Sequence, residues 1–165
     1  MKRALIITLV IMLAVLTACS GSEEVQQDRS SEQKKETAID DTAEDNKMKP
    51  ITMRINDEEV EVTWEDNESV RALSDLVSGS PLTIESSMYG GFEQVGSIGT
   101  SLPSNDVNMR TEAGDIVLYS DSNMVVFYGS NSWSYTRLGH IENKSAEELA
   151  DLLGGSDVTI TLSAE

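Results

Sequence analysis

Residues 114–128, GDIVLYSDSNMVVFY, contain two short apolar runs separated by a polar turn. The first run is Ile116-Val117-Leu118-Tyr119, and the second is Met124-Val125-Val126-Phe127-Tyr128. Short runs rich in β-branched and aromatic residues, bounded by Gly, Asp, Ser and Asn, are typical of strands. Because neither run alternates with polar residues, both faces of each strand are expected to be buried. The stretch therefore predicts a buried β-hairpin that turns at Asp121-Ser122-Asn123.

Further strand patterns lie on both sides of this hairpin. Apolar and polar residues alternate over residues 51–55 and 60–64, and the turn signal Asn56-Asp57 lies between these two stretches. Residues 82–85 and 158–162 alternate in the same way. Alternation with a period of two predicts strands that bury one face.

Two short helices are predicted between the strands. Asn67 can cap the first, because apolar residues recur every three or four positions after it until Gly79. Ser145 and Glu148 form a capping box that begins the second, which ends at Gly154. Several strands with two short helices and no regular βαβ alternation favour a mainly β fold. We expect a closed or nearly closed antiparallel barrel rather than a doubly wound sheet.

Five segments of the central region carry a family resemblance. They are YGGFE at residues 89–93, GSIG at 96–99, SLP at 101–103, GDIVLY at 114–119 and YGSNSWSYTRLG at 128–139. Together they resemble the bacterial cyclophilin-like domain family, over nearly all of residues 50–163. The resemblance implies a cyclophilin-like β-barrel whose ends are closed by helices. True cyclophilins isomerise prolyl bonds with an arginine among Phe, Met and Gln residues, and that catalytic set does not align here.

The first residues have the pattern of an export signal. Lys2 and Arg3 precede a run over residues 4–16 that only Thr8 interrupts, and this run is shorter than the roughly 20 apolar residues that span a bilayer. We expect a signal peptide over residues 1–18. Leu16-Thr17-Ala18-Cys19 resembles the lipobox of bacterial lipoproteins, which implies that Cys19 becomes the lipid-modified N-terminus. A plain secretory signal that contains a cysteine is the alternative.

Charge and composition divide residues 19–165 into a linker and a folded domain. The chain has 12 Lys and Arg against 29 Asp and Glu, a net charge of −17, and lacks the basic clusters that nucleic-acid binding requires. Residues 19–47 have few large aliphatic residues, so we expect a lipid-anchored disordered linker. Residues 48–165 are expected to form the cyclophilin-like barrel domain. The predicted location is the extracytoplasmic face of the cell membrane, with the lipid on Cys19 as the membrane contact.

The candidate ligand-binding residues are aromatic and surround one arginine. They are Tyr89, Phe92, Trp133, Tyr135 and Arg137. Prolyl isomerisation needs an apolar pocket and a cation or donor near the amide nitrogen, so Arg137 is the candidate catalytic residue. The alternative is that the aromatic residues form barrel core or rim and that Arg137 pairs with a carboxylate.

Other chemistry is poorly supported by the sequence. His140 is the only histidine, and a lone imidazole is more often exposed or structural than catalytic. The glycines at 90, 91, 96 and 99 are typical of tight turns, and no Lys-Ser/Thr follows them as in a phosphate-binding loop. The acidic residues 57–59, 61, 65 and 66 match no EF-hand spacing and are typical of a solvated strand edge. We expect neither a metal nor a cofactor.

Two functions remain open. The first is a non-catalytic module that binds a peptide or a small ligand in a pocket of the barrel. The second is a divergent peptidyl-prolyl cis-trans isomerase that acts on exported proteins. The position of Arg137 discriminates between them, because an arginine held in a carboxylate pair would leave the isomerase without its candidate cation.

Overall fold

The computed structural model describes residues 48–165, and these residues form ten strands and two helices. The strands are β1 (Ile51–Ile55), β2 (Glu58–Val60), β3 (Val62–Trp64), β4 (Leu82–Tyr89), β5 (Glu93–Ser97), β6 (Val107–Arg110), β7 (Asp115–Tyr119), β8 (Asn123–Phe127), β9 (Ser132–Ile141) and β10 (Val158–Ala164). The helices are α1 (Glu68–Val77) and α2 (Ala146–Leu153). The predicted signal peptide, Cys19 and linker lie outside the described residues. Neither helix of this part of the chain is long and apolar enough to cross a membrane.

All ten strands of residues 48–165 belong to one antiparallel sheet. Its order is β2-β1-β10-β4-β5-β8-β7-β9-β3, and β6 pairs with β9 beside this path. The last strand of this order returns to the other side of the sheet, because Trp64 Nε1 on β3 donates a 2.9 Å hydrogen bond to the carbonyl of Ile51 on β1. The result is a nearly closed antiparallel barrel with two helices, which confirms the predicted fold class.

The stretch predicted as one strand over residues 60–64 is divided at Glu61. The structure pairs β2 with β1 on one side of this residue and β3 with β9 on the other. Glu61 turns outward to residues that follow β9: its amide donates to Asn143 Oδ1 at 3.1 Å, and its carbonyl accepts from the Glu142 amide at 2.8 Å. One residue thus carries the chain from one edge of the sheet to the other.

Both helices begin at the predicted caps. Asn67 Oδ1 accepts a 3.0 Å hydrogen bond from the Val70 amide at the start of α1. Ser145 and Glu148 form the predicted capping box at the start of α2. Each helix packs its apolar face against the barrel core. Helix α1 contributes Leu73 to the core, and helix α2 contributes Leu149 and Leu153.

Strand alternation divides the apolar residues between two clusters. On β7 and β8, Ile116, Leu118, Met124 and Val126 belong to the main core inside the barrel. Val117, Val125, Phe127 and Tyr135 form a second buried cluster, to which the outward-facing residues of these strands contribute. Successive strand residues point to opposite faces, so this second cluster lies on the opposite side of the sheet from the main core. The outer face is where the candidate site is found.

The glycines have two different roles. Gly90 and Gly91, with φ of 63° and 76°, make the turn between β4 and β5, as predicted. Gly96 lies inside β5 rather than in a turn, so the expectation of a tight turn is wrong there. An added Cβ at Gly96 would lie 2.4 Å from Ile84 Cγ2, which shows that close strand packing explains this glycine.

Candidate functional site

The outer face of the sheet carries an open cleft of about 370 Å³, which we call the aromatic cleft. It is bounded by the ends of β4 and β7, by β5, β8 and β9, and by the loop before β9. Its lining residues are Tyr89, Glu93, Val95, Tyr119, Val125, Asn131, Trp133 and Tyr135. Clefts of this size suit a small ligand or a few side chains of a peptide.

Strand register explains why these residues meet. Tyr89 is opposite Glu93 in the β4–β5 pair, and Val95 is opposite Val125 in the β5–β8 pair. Opposed residues of an antiparallel pair point to the same face of the sheet. Trp133 is two residues before Tyr135 on β9, so both side chains leave the strand on one side.

The cleft has a buried floor and an exposed rim. Tyr135 and Val125 are 4% and 1% exposed, whereas Tyr89 and Trp133 are 67% and 58% exposed. Tyr135 packs against two rings in T-shaped contacts, with centroids 6.0 Å from Tyr119 and 5.8 Å from Phe127. Edge-to-face contacts of this kind fix the ring orientation. The floor is therefore rigidly packed, and the rim is free to contact a ligand.

Glu93 is a buried acid at the floor of the aromatic cleft. The residue is 5% exposed, and its Oε2 atom is fully buried without a hydrogen-bond partner. None of the ion pairs within residues 48–165 includes Glu93. Burial removes water from the carboxylate and raises the pKa of Glu93 from 4.5 to about 7. The group therefore changes charge near neutral pH.

The Tyr135 hydroxyl lies in the field of this acid. Asn131 Nδ2 donates a 3.0 Å hydrogen bond to the hydroxyl oxygen. Burial raises the pKa of Tyr135, the negative charge of Glu93 raises it further, and the Asn131 hydrogen bond opposes both. Tyr135 consequently presents a neutral hydroxyl to the cleft.

Arg137 makes a different set of contacts. Its Nη1 lies 2.5 Å from Oδ1 of Asp115, a carboxylate that is 1% exposed. His140 Nδ1 lies 2.9 Å from the same oxygen, and the Glu112 amide donates to Asp115 Oδ2 at 3.0 Å. Asp115 thus joins β9 to the start of β7 through its contacts with Arg137 and His140, while its bond to the Glu112 amide holds the loop before β7. We call these three side chains the Asp115 cluster: Asp115, Arg137 and His140.

A second cleft, of about 810 Å³, lies between the start of α1, the loop at residues 103–105 and β9. Arg137 lines this cleft, together with the acidic residues Glu65, Asp66 and Glu68. Arg71 also lines it and forms an ion pair with Asp66. Within residues 48–165, no three His, Cys, Asp or Glu side chains come together in a way that could hold a metal ion.

The structure divides the five candidate residues among three places. Tyr89, Trp133 and Tyr135 line the aromatic cleft. Phe92 packs against the second buried cluster, stacks on Phe127 at a centroid distance of 6.4 Å, and is not among the residues that line the cleft. Arg137 belongs to the Asp115 cluster and lines the second cleft.

Sequence reasoning did not select Glu93, Tyr119 or Asn131 as site residues. Glu93 is one of 29 acidic residues, and only its two-residue spacing from Val95 on one face of β5 distinguishes it. Tyr119 lies at the end of β7, and Asn131 lies in the loop before β9. The local sequence at these positions does not indicate which residues from other strands they will contact. These three residues complete the polar and aromatic lining of the cleft.

Comparison with known proteins agrees with this architecture. The model of the cyclophilin-like family matches residues 53–163, which is most of the chain. The protein belongs to the cyclophilin-like family. The match includes every strand of the cyclophilin-like barrel that lines the aromatic cleft. A search of curated proteins gives no match.

Two solved structures are similar to this cyclophilin-like protein, each with a TM-score of 0.50. The structure of McbB in complex with tryptophan is 11% identical, and the alignment covers 70% of this chain and 45% of the McbB chain. The chain thus spans less than half the length of McbB. The solution structure of a hypothetical protein from Archaeoglobus fulgidus is 18% identical, with 72% of this chain and 96% of that chain covered. At these identities the similarity establishes the fold alone.

Proposed function

We propose that this cyclophilin-like protein is a non-catalytic binding module, held at the extracytoplasmic face of the membrane by a lipid on Cys19. Its ligand is a small molecule or a peptide group that enters the aromatic cleft. The observation that supports binding is the combination of a packed floor with exposed aromatic residues around it. Concave apolar sites with a few polar groups are the usual form of small-ligand pockets.

The distribution of exposed apolar side chains supports this proposal. Within residues 48–165 the large apolar residues that remain exposed are Leu76, Met88, Tyr89, Val107, Tyr119 and Trp133. Three of them, Tyr89, Tyr119 and Trp133, line the aromatic cleft. Single exposed apolar residues are ordinary on a protein surface, whereas a group of aromatic residues around one concavity is typical of an interaction site.

The isomerase alternative is less well supported by the geometry. A prolyl isomerase of the expected kind needs a cation or donor directed at the substrate amide. The Arg137 guanidinium contacts the buried Asp115 carboxylate instead and lies outside the lining of the aromatic cleft. A binding role needs no such cation, so the arrangement favours binding over isomerisation.

Trp133→Ala should weaken ligand binding at the aromatic cleft. A screen of small aromatic and aliphatic compounds, including the tryptophan that is bound in McbB, would use the full chain in non-ionic detergent with NMR detection. Loss of an aromatic side chain that contacts the ligand typically costs about 2 kcal/mol, so we expect roughly thirtyfold weaker binding of any hit. The control variant is Leu76→Ala, which removes an exposed apolar side chain outside both clefts. Hits whose affinity is unaffected by Trp133→Ala would contradict the proposed site.

Cys19→Ala tests the membrane anchor separately. The variant should fail to incorporate a labelled fatty acid and should appear in the soluble or unprocessed fraction, because the acyl chains supply the membrane affinity. Ser20→Ala is the matched control and should be labelled normally. Normal processing and membrane retention of Cys19→Ala would overturn the anchor.

A further inference from the structure

The floor of the aromatic cleft holds an acid that the protein does not neutralise. Glu93 is nearly fully buried, its Oε2 atom has no hydrogen-bond partner, and no described Lys, Arg or His forms an ion pair with it. An unpartnered buried carboxylate is costly, so folded proteins normally pair it or hydrogen-bond it. A ligand that supplied the missing charge would remove this cost.

The walls of the cleft favour the same kind of ligand. Tyr119, Trp133 and Tyr135 line the cleft together with Glu93, and the faces of aromatic rings attract cations. A neutral apolar ligand would leave the carboxylate unpaired, and an anion would be repelled by it. The surrounding domain reinforces this preference, since residues 48–165 carry 20 Asp and Glu against 6 Lys and Arg.

We propose that the aromatic cleft binds a small organic cation of the alkylammonium type, with ionised Glu93 as its counter-charge and the rings of Tyr119, Trp133 and Tyr135 around it. This inference rests on the proposed function and names the chemical class of the ligand. The positive group lies at the floor beside Glu93, and the exposed Tyr89 contacts the part of the ligand that leaves the cleft. The cleft volume of about 370 Å³ accommodates a molecule of this size.

Binding of such a cation must depend on pH. The cation binds the ionised acid, and burial raises the pKa of Glu93 to about 7, so affinity falls as the pH drops below that value. The other ionisable groups that line the cleft are the hydroxyls of Tyr89 on β4, Tyr119 on β7 and Tyr135 on β9. Glu93 is the one carboxylic acid among the residues that line the cleft, so the change near neutrality belongs to it.

Choline and 3,3-dimethylbutan-1-ol provide a matched pair of probes. They have the same shape and differ in a nitrogen that carries a positive charge, and choline does not titrate in this range. Calorimetry on the full chain in non-ionic detergent should show choline binding at least about tenfold more tightly than the neutral alcohol at about pH 8. From about pH 8 to about pH 5.5 choline should lose roughly thirtyfold in affinity, in proportion to the ionised fraction of Glu93.

Glu93→Gln keeps the shape of the side chain and removes its charge. In this variant choline should lose both its preference over the alcohol and its pH dependence, while the alcohol binds as in the original protein. Unchanged binding of the alcohol also shows that the variant has folded. If Glu93→Gln unfolds, Trp133→Ala provides the second comparison, since it should reduce choline affinity more than alcohol affinity.

The outcomes separate this inference from the proposed function. Equal binding of choline and the alcohol would overturn the cation proposal and leave a binding module in place. Absence of choline binding would also overturn it, and the compound screen would then decide the proposed function alone. Affinity for the neutral alcohol that rises as the pH falls would assign Glu93 as a proton donor and would likewise overturn a cation site.

Discussion

Replacing Asp115 with alanine is expected to lower the free energy of unfolding by about 3 kcal/mol. The carboxylate is buried and contacts Arg137, His140 and the Glu112 amide, so its removal leaves three polar groups without their partner. The Arg137 and His140 side chains are about one third exposed, so water compensates part of this loss. The expected destabilisation is therefore at the lower end of the range observed when one partner of a buried ion pair is removed. Urea denaturation followed by circular dichroism measures the change.

Two further variants identify the cause of that effect. Asp151→Ala removes an exposed carboxylate on α2 and should alter the free energy of unfolding by less than about 0.5 kcal/mol. Arg137→Met should be destabilising alone, and combined with Asp115→Ala it should cost less than the sum of the two changes. Additive effects, or a change below about 1 kcal/mol for Asp115→Ala, would contradict an important role of the ion pair in joining β9 to β7.

Glu93→Gln is expected to make the folded protein more stable near pH 8 and nearly neutral in effect near pH 4.5. Burial raises the pKa of Glu93 from 4.5 to about 7, so the folded protein holds this proton more tightly than the unfolded chain does. The stability that the proton provides is complete below about pH 4.5 and is lost as the pH rises through about 7. The shift corresponds to roughly 3 kcal/mol, and the glutamine variant avoids that loss because it does not ionise.

The measurement compares the two proteins across this pH range. The difference in unfolding free energy between Glu93→Gln and the original protein should grow by roughly 3 kcal/mol from about pH 4.5 to about pH 8. The comparison cancels the titration of the other acidic residues. Leu76→Ala, which alters no ionisable group, should show a difference that does not change with pH. A constant difference for Glu93→Gln would show that its carboxyl is not desolvated in the folded state.

Local signals predicted the parts of the fold that depend on neighbouring residues. Asn67 and the Ser145–Glu148 box mark the helix starts because each cap bonds backbone groups within three residues of itself. The β7–β8 hairpin was likewise predicted from its two apolar runs. The break at Glu61 was not, because its cause is a pair of hydrogen bonds to residues 142 and 143, about 80 positions further along the chain.

The candidate site depends on the same kind of distant pairing. The aromatic residues Tyr89, Trp133 and Tyr135 were predicted as parts of an apolar pocket, and the structure brings them together in one cleft. Glu93 was not predicted, since the sequence does not distinguish a buried acidic residue from the many exposed ones. Arg137 stood out as an unusual cation, but its partner Asp115 became evident only when β7 and β9 were placed side by side.

The pairing of β1 with β10 has a consequence for how this barrel can be combined with other segments. Ile51 lies opposite Ala164, so the chain enters and leaves the barrel at neighbouring points. A unit with this property can be inserted within a loop of a longer polypeptide, because the flanking segments need not be pulled apart to accommodate it. The strands that line the aromatic cleft lie between residues 82 and 141, away from both of these points, so the cleft would be carried intact into each new arrangement.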